Sequence, residues 1–337
     1  MLILMKIGHT TAQLEGVSTR IRALGFTPHV IPGEHSVAVG ITGNPGSLDA
    51  HEFVLLEGVQ EAIPVTKPYK LAGRDFRKKD TEVKVGNVTF GPGHFVIIGG
   101  PCAVESEEQT LRIAEKVKAM GAQVLRGGAY KPRSSPYSFQ GMGLEGLKIL
   151  KKARELTGLP IVTEALDMKS LETVAEYSDI VQLGARNMQN FALLQEAGKT
   201  MKPILLKRGM SATVDEWLQA AEYILDQGNP NVILCERGIR SYDPYTRNLL
   251  DISAVPLLKE LSHLPIIVDP SHGTGKRKLV VPMAYAALAA GANAIMVDVH
   301  DRPKEALCDG PQALLPEEFG AMVKTLRSLG KTLGQGE

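Results

Sequence analysis

Six basic residues, Arg126, Lys131, Arg133, Arg186, Lys207 and Arg237, stand at or just beyond the ends of short apolar runs. Gathered at one place they repel each other by several kcal/mol unless anions sit between them. The guanidinium fork suits phosphate and carboxylate, and lysine adds a compact point charge. The set therefore predicts a site for at least two anionic groups. Ser134, inside the run KPRSSP, places a hydroxyl beside Arg133. A surface residue with its own salt bridge is the bland reading of any one of these cations. It does not account for all six at matching positions.

A second group is Cys102, His272, Asp298 and Asp309: a thiol, an imidazole and two carboxyls. That mixture suits Zn, Fe(II), Mn or Co, and argues against Mg or Ca, which prefer oxygen alone. Singly, Cys102 reads as a packed thiol and His272 as a turn cap. Together they favour a metal centre. Glu164 also ends an apolar run. His300 shares a strand face with Asp298 by alternation, which gives it a supporting place behind that residue. Cys308, next to Asp309, is expected to pair with Cys102 when metal is absent. Cys235 and Trp217 read as core, and His263, before Leu-Pro, as a helix-end cap.

These residues need elements to hold them. Eight runs rich in β-formers recur from residue 95 onward: FVIIGGP, QVLRGGAY, PIVTEAL, IVQLGAR, PILLKRG, VILCERG, PIIVDPSH and AIMVDVH. Amphipathic stretches such as EEQTLRIAEKVKAMG and TVDEWLQAAEYILDQG separate them. This rhythm predicts a (β/α)8 TIM barrel over 95–337, whose functional face is the C-terminal end of its strands. A doubly wound open sheet is the runner-up, but no G-x-G-x-x-G follows the first strand. Residues 1–66 read βαββαβ: MLILMKI, TAQLEGVSTRIRALG, TPHVIP, SVAVGITG, SLDAHEFVLLEG and VQEAIPVT. That order predicts a small ferredoxin-like sandwich. Residues 67–94 read as a charged linker and a hairpin turning at Gly86-Asn87.

Bulk composition narrows the function classes. Of 337 residues 44% are hydrophobic, enough for one large and one small core. Lys and Arg number 38 against 37 acidic residues, a net charge of +1. No global field favours nucleic acid or an anionic membrane. Three dispersed cysteines point to a reducing cytoplasm rather than a disulfide framework. The N-terminus does not read as a signal peptide, and no apolar run is long enough to span a membrane.

The motifs GGPCAVES, LRGGAYKPRSSPYSFQG, VTEAL, LGARNMQN, LLKRG, CERG and VDPSHGTGKR resemble the 3-deoxy-D-arabino-heptulosonate 7-phosphate (DAHP) synthases. The branch is the compact one close to the octulosonate synthases, and the motifs span residues 95–310. The front domain resembles the ferredoxin-like regulatory domain of some members. The resemblance implies condensation of phosphoenolpyruvate (PEP) with erythrose 4-phosphate, the entry to the shikimate pathway and aromatic amino acid biosynthesis. It implies a divalent metal held by Cys102, His272, the position of Asp298, and Asp309. It further implies that Arg126, Lys131, Arg186, Lys207 and Arg237 hold PEP, with the Ala185 amide and Glu164 beside it. Arg133 and Ser134 would hold the phosphate of the aldose. A homotetramer is implied likewise.

Position 298 departs from the family, whose pattern has Glu in a V-E-V-H run where this chain reads VDVH. The shorter side chain falls about 1.5 Å short, so the backbone shifts, a water intervenes, or the ligand is lost. Two rivals stand beside this reading. An octulosonate 8-phosphate synthase uses PEP and arabinose 5-phosphate but typically carries K-A-N-R-S-S where this chain has Lys131-Pro132-Arg133-Ser134-Ser135. A non-catalytic phosphometabolite sensor would not need a thiolate ligand. The front domain either binds an aromatic effector, Tyr or Phe, or only builds the oligomer.

Overall fold

A computed structural model describes residues 1–33, 36–42, 48–64 and 67–334. The chain divides into two compact units, Met1–Lys70 and Leu71–Glu337. The ends of three front segments read from the sequence, at Gly43, Ser47 and Val65–Thr66, lie outside the described residues, as does the boundary placed at 66.

The front unit runs β1 (Leu2–Met5), α1 (Thr11–Ala23), β2 (Thr27–Pro32), β3 (Val37–Thr42), α2 (His51–Val54) and β4 (Val59–Ile63). Its four strands lie in the order β2-β3-β1-β4, each pairing antiparallel. That is the ferredoxin-like arrangement. Thr10 and Gln13 form a capping box that starts α1. The second helix is a single turn of four residues, far shorter than SLDAHEFVLLEG suggested. Ile3, Met5, Val17, Ile21 and Phe53 form the unit's core.

The second unit opens with a hairpin, β5 (Val83–Val85) and β6 (Val88–Phe90), turning where expected at Gly86-Asn87, with Gly86 at φ +58°. Then come β7 (Val96–Gly100), α3 (Glu107–Ala119), β8 (Val124–Arg126), α4 (Gly143–Thr157), β9 (Ile161–Ala165), α5 (Met168–Tyr177), β10 (Ile180–Leu183) and α6 (Phe191–Lys199). They are followed by β11 (Ile204–Lys207), α7 (Val214–Leu225), β12 (Val232–Glu236), α8 (Ala254–Leu261), β13 (Ile266–Val268), α9 (Pro270–Thr274), α10 (Arg277–Ala289), β14 (Ala294–Asp298) and α11 (Pro316–Thr332). The eight parallel strands β7 to β14 close into a barrel through β14 and β7, with Asp298 opposite Gly100. Every residue of these strands is buried, as a sheet covered on both faces requires. Val83, Val85, Val88 and Phe90 of the hairpin join Val96, Val124, Ile180 and Ala294 at the strand beginnings. That end is plugged with apolar side chains, which leaves the opposite end for chemistry.

From Leu71 the stretch read as a linker is tied down rather than free. His263 clamps it: one ring nitrogen meets the Thr81 hydroxyl at 2.8 Å and the other the Leu71 carbonyl at 2.7 Å. His263 thus holds a distant segment, and not the helix end expected of it.

Candidate active site

Closure of the barrel sets β13, β14 and β7 side by side, and these carry three of the four expected metal ligands. Cys102 follows β7, and Asp298 ends β14. His272 lies on α9, one turn beyond β13, where Asp269 caps the helix by accepting from the His272 amide and Pro270 follows at the first helical position. Asp309 comes from the segment that returns to β14, where the Leu314 amide donates to the Asp298 carbonyl. Asp309 adopts φ +54°, a left-handed conformation shared only with Met201 among the described non-glycine residues. Such strain is retained where the position is over-determined.

One donor atom from each of Cys102, His272, Asp298 and Asp309 lies within 4.8 Å of all the others. His272 Nε2 is 3.7 Å from Cys102 Sγ and 3.6 Å from one oxygen each of Asp298 and Asp309. The far ring nitrogen, Nδ1, is held by Asp269 at 2.9 Å, which aims Nε2 at the cluster. Burial works against a charged imidazole, but Asp269 and Asp298 outweigh it and raise the His272 pKa to about 9. The Cys102 thiol is pushed well up, by its hydrogen bond to Cys308 and then by burial. Burial would raise Asp309 too, yet His272 and Arg247 draw it far below the carboxylate range. A divalent ion would bind such a set by displacing the protons from thiol and imidazole. The mixed S, N, O donors fit such an ion.

Beside the cluster opens a cavity of about 430 Å³. All six expected cations line it, as do Ser134, Glu164, Ala185, His272 and Asp309. Cys102 and Asp298 do not line it and meet it only through their neighbours. Two of the cations already have buried partners. Arg126 lies 2.9 Å from Asp298 and donates to the Pro101 carbonyl, and Lys207 pairs with Asp269. Lys131 Nζ donates to the Cys102 carbonyl and sulfur at 2.9 and 3.1 Å. Burial disfavours its charge, but Cys102 and Cys308 reverse that and keep its pKa above the ordinary lysine value. Arg133 reaches the Cys308 sulfur at 2.6 Å. Among the described residues Arg133, Arg186 and Arg237 have no carboxylate partner. Glu164 accepts from Gln182 at 3.0 Å. A Cβ at Gly184 would lie 2.0 Å from a Glu164 oxygen, so any larger residue there would push the Glu164 carboxylate out of this position.

Sequence reasoning missed Asp269, Gln182, Arg240, Arg247 and Gln312. Asp269 had a legible signal, an Asp-Pro pair that starts a helix just after a strand. Gln182 lies inside a strand, Arg240 and Arg247 on loops and Gln312 on a short 3-10 helix, none with such a signal. His300 faces Glu105 at 3.7 Å and Asp301 at 3.9 Å, not Asp298.

Comparison with known proteins agrees with this geometry. Residues 75–334 match the model of the DAHP synthetase I family, and residues 1–67 that of the DAHP synthase ferredoxin-like domain. The phospho-2-dehydro-3-deoxyheptonate aldolase of Thermotoga maritima is 47% identical over 334 residues, 99% of each chain. A crystal structure of that Thermotoga enzyme superposes with a TM-score of 0.95 at 46% identity, covering 99% of this chain and 98% of the other. More distant is the 2-dehydro-3-deoxyphosphooctonate aldolase of Geotalea uraniireducens, 32% identical over 74% of this chain and 97% of that protein. The chain belongs to the DAHP synthetase I family and carries the family's ferredoxin-like domain ahead of its barrel.

Proposed function

We propose that this chain condenses PEP with D-erythrose 4-phosphate and water to give DAHP and inorganic phosphate. It is a 3-deoxy-7-phosphoheptulonate synthase, a transferase that opens the shikimate pathway to the aromatic amino acids. The observation that carries the reading is one cavity lined by the six expected cations, with Arg240 and Arg247 beside them, and joined to a thiol–imidazole–carboxyl cluster. Arg126, Lys131, Arg186, Lys207, Arg237 and the Ala185 amide are assigned to PEP, and Arg133 and Ser134 to the phosphate of the aldose. Three anionic groups, two on PEP and one on the aldose, complement the cations that lack an internal carboxylate.

Cys102, His272, Asp298 and Asp309 would hold one Mn, Fe, Co or Zn ion, which when bound supplies Lewis acidity toward the aldehyde oxygen. The cations fix both substrates in one pose and so remove much of the entropic barrier. As PEP carbon 3 bonds to the aldehyde carbon, Lys131 holds a proton at Nζ for the oxygen that gains charge. Glu164, steadied by Gln182, orients the water that adds at PEP carbon 2. The phosphate then leaves that carbon with the C–O bond electrons as the new hydroxyl gives up its proton. Of the water's two protons one goes to the departing phosphate and the other restores Lys131, and the resulting ketone is DAHP.

The octulosonate alternative is disfavoured by Pro132, which stands where its run carries Ala-Asn. A coupled assay with erythrose 4-phosphate and with arabinose 5-phosphate, run metal-free and with each ion in turn, tests the whole reading. Turnover is expected with the four-carbon aldose and a divalent ion. Preference for arabinose 5-phosphate would favour the rival, and PEP binding without turnover in any metal would favour a sensor.

We further propose that the front unit carries feedback by Tyr or Phe, and that the protein is a homotetramer working in the cytoplasm. Among the described residues no helix is long and apolar enough to cross a membrane.

A further inference from the structure

Gln312 is 2% exposed and Asp298 fully buried. A buried amide has to satisfy both its ends. The Gln312 Nε2 donates to Asp298 Oδ2 at 2.7 Å, and its Oε1 accepts from Arg247 Nη1 at 3.0 Å. The reversed amide would set oxygen against carboxylate and NH2 against guanidinium, so chemistry fixes this orientation. The same Arg247 nitrogen donates to Asp309 Oδ1 at 3.1 Å.

These contacts sort the carboxylate oxygens. Asp298 Oδ1 faces Arg126 at 2.9 Å, and Asp309 Oδ1 faces Arg247. The two Oδ2 atoms lie toward the cluster, each 3.6 Å from His272 Nε2, that of Asp298 while it accepts from Gln312 and that of Asp309 while it accepts from the Cys102 thiol at 3.2 Å. Gln312 also shares a rigid turn with Asp309, its own amide donating to the Asp309 carbonyl at 3.2 Å.

We infer that Gln312 is a positioning residue for the metal centre. Its amide straps the two carboxylates together, Asp298 directly and Asp309 through Arg247, so that each presents Oδ2 inward. The strap matters more here than with a glutamate, because the shorter Asp298 has one torsion fewer with which to find the ion. The inference rests on the metal reading above and names how its ligands are held.

The test is Co(II) binding to the full-length metal-free protein, measured by chelator competition and by the visible absorption bands of the bound ion. Gln312→Met keeps the length and removes the amide, and should weaken binding about 10- to 100-fold, the usual cost of losing a partner behind a ligand. The band positions should change as Asp298 loosens, which a purely structural loss would not cause. Arg247→Met, at a half-exposed residue, should weaken binding in the same direction without endangering the fold. Both variants binding within threefold of wild type with unchanged bands would overturn the strap. Should Gln312→Met not fold, the arginine variant decides alone by the same criterion. Wild type that binds no divalent ion would sink the metal reading and the strap with it, whereas tight wild-type binding with indifferent variants overturns the strap alone.

Discussion

Asp298 is the residue on which the metal chemistry turns. It is fully buried between Arg126 and Gln312, so an added methylene has to displace one of them. Metal–ligand distances tolerate about 0.2 Å. Asp298→Glu is therefore expected to change the ranking of Mn, Fe, Co and Zn affinities, measured by metal content after equilibration. Identical affinity for every ion would refute it. Cys102 and Cys308 stand 3.6 Å apart, sulfur to sulfur, against about 2.05 Å in a disulfide. The Cys308 thiol is the better nucleophile, its pKa lowered to about 7 by the bond to Cys102 and by nearby Lys131 and Arg133. In air, oxygen should oxidise the pair in metal-free protein. Titratable thiols then fall from three to one, while metal-loaded protein keeps three. An unchanged thiol count in the metal-free sample would remove the idea.

Elements decide where these residues meet. Strand ends deliver Arg126, Lys207 and Asp298, the loops just beyond deliver Cys102 and Arg237, and short helices there deliver Arg186 and His272. The other end is held by the 71–90 segment, and His263 is its clamp. Burial, aided by Arg77 and Arg74, lowers the His263 pKa, and the Leu71 carbonyl only partly opposes this. A histidine with a depressed folded-state pKa stays neutral in the fold and takes up its proton more readily when unfolded. Its contribution is therefore complete above about pH 6.5 and is lost as pH falls through the lower folded value. His263→Gln should flatten the decline of unfolding free energy between about pH 7 and 5, read from denaturant titrations. Parallel wild-type and variant curves would show that the clamp is not protonation-sensitive.

At the scale of the molecule, near-zero net charge hides a strongly cationic cavity. The chain divides its work between two units with separate cores, one of them holding every catalytic candidate. A barrel-only protein, residues 71–337, is expected to retain turnover and to lose sensitivity to Tyr and Phe. Steady-state rates of both forms with each amino acid check this. Indifference of the full-length protein to both would leave the front unit a builder of the oligomer.

Alternating and helical periodicities, which are local, were enough to read the eight barrel strands, the hairpin turn and the ferredoxin-like order from the sequence. A barrel brings all its strand ends to one rim, so residue types there already announced anions and a metal. The sequence could not tell which cations are neutralised inside the protein. Lys207 meets Asp269 across 62 positions, and Arg126 meets Asp298 only because β14 closes on β7. Nor did it reveal Gln312 and Arg247, whose hydrogen bonds depend on distances in space that no spacing along the chain encodes.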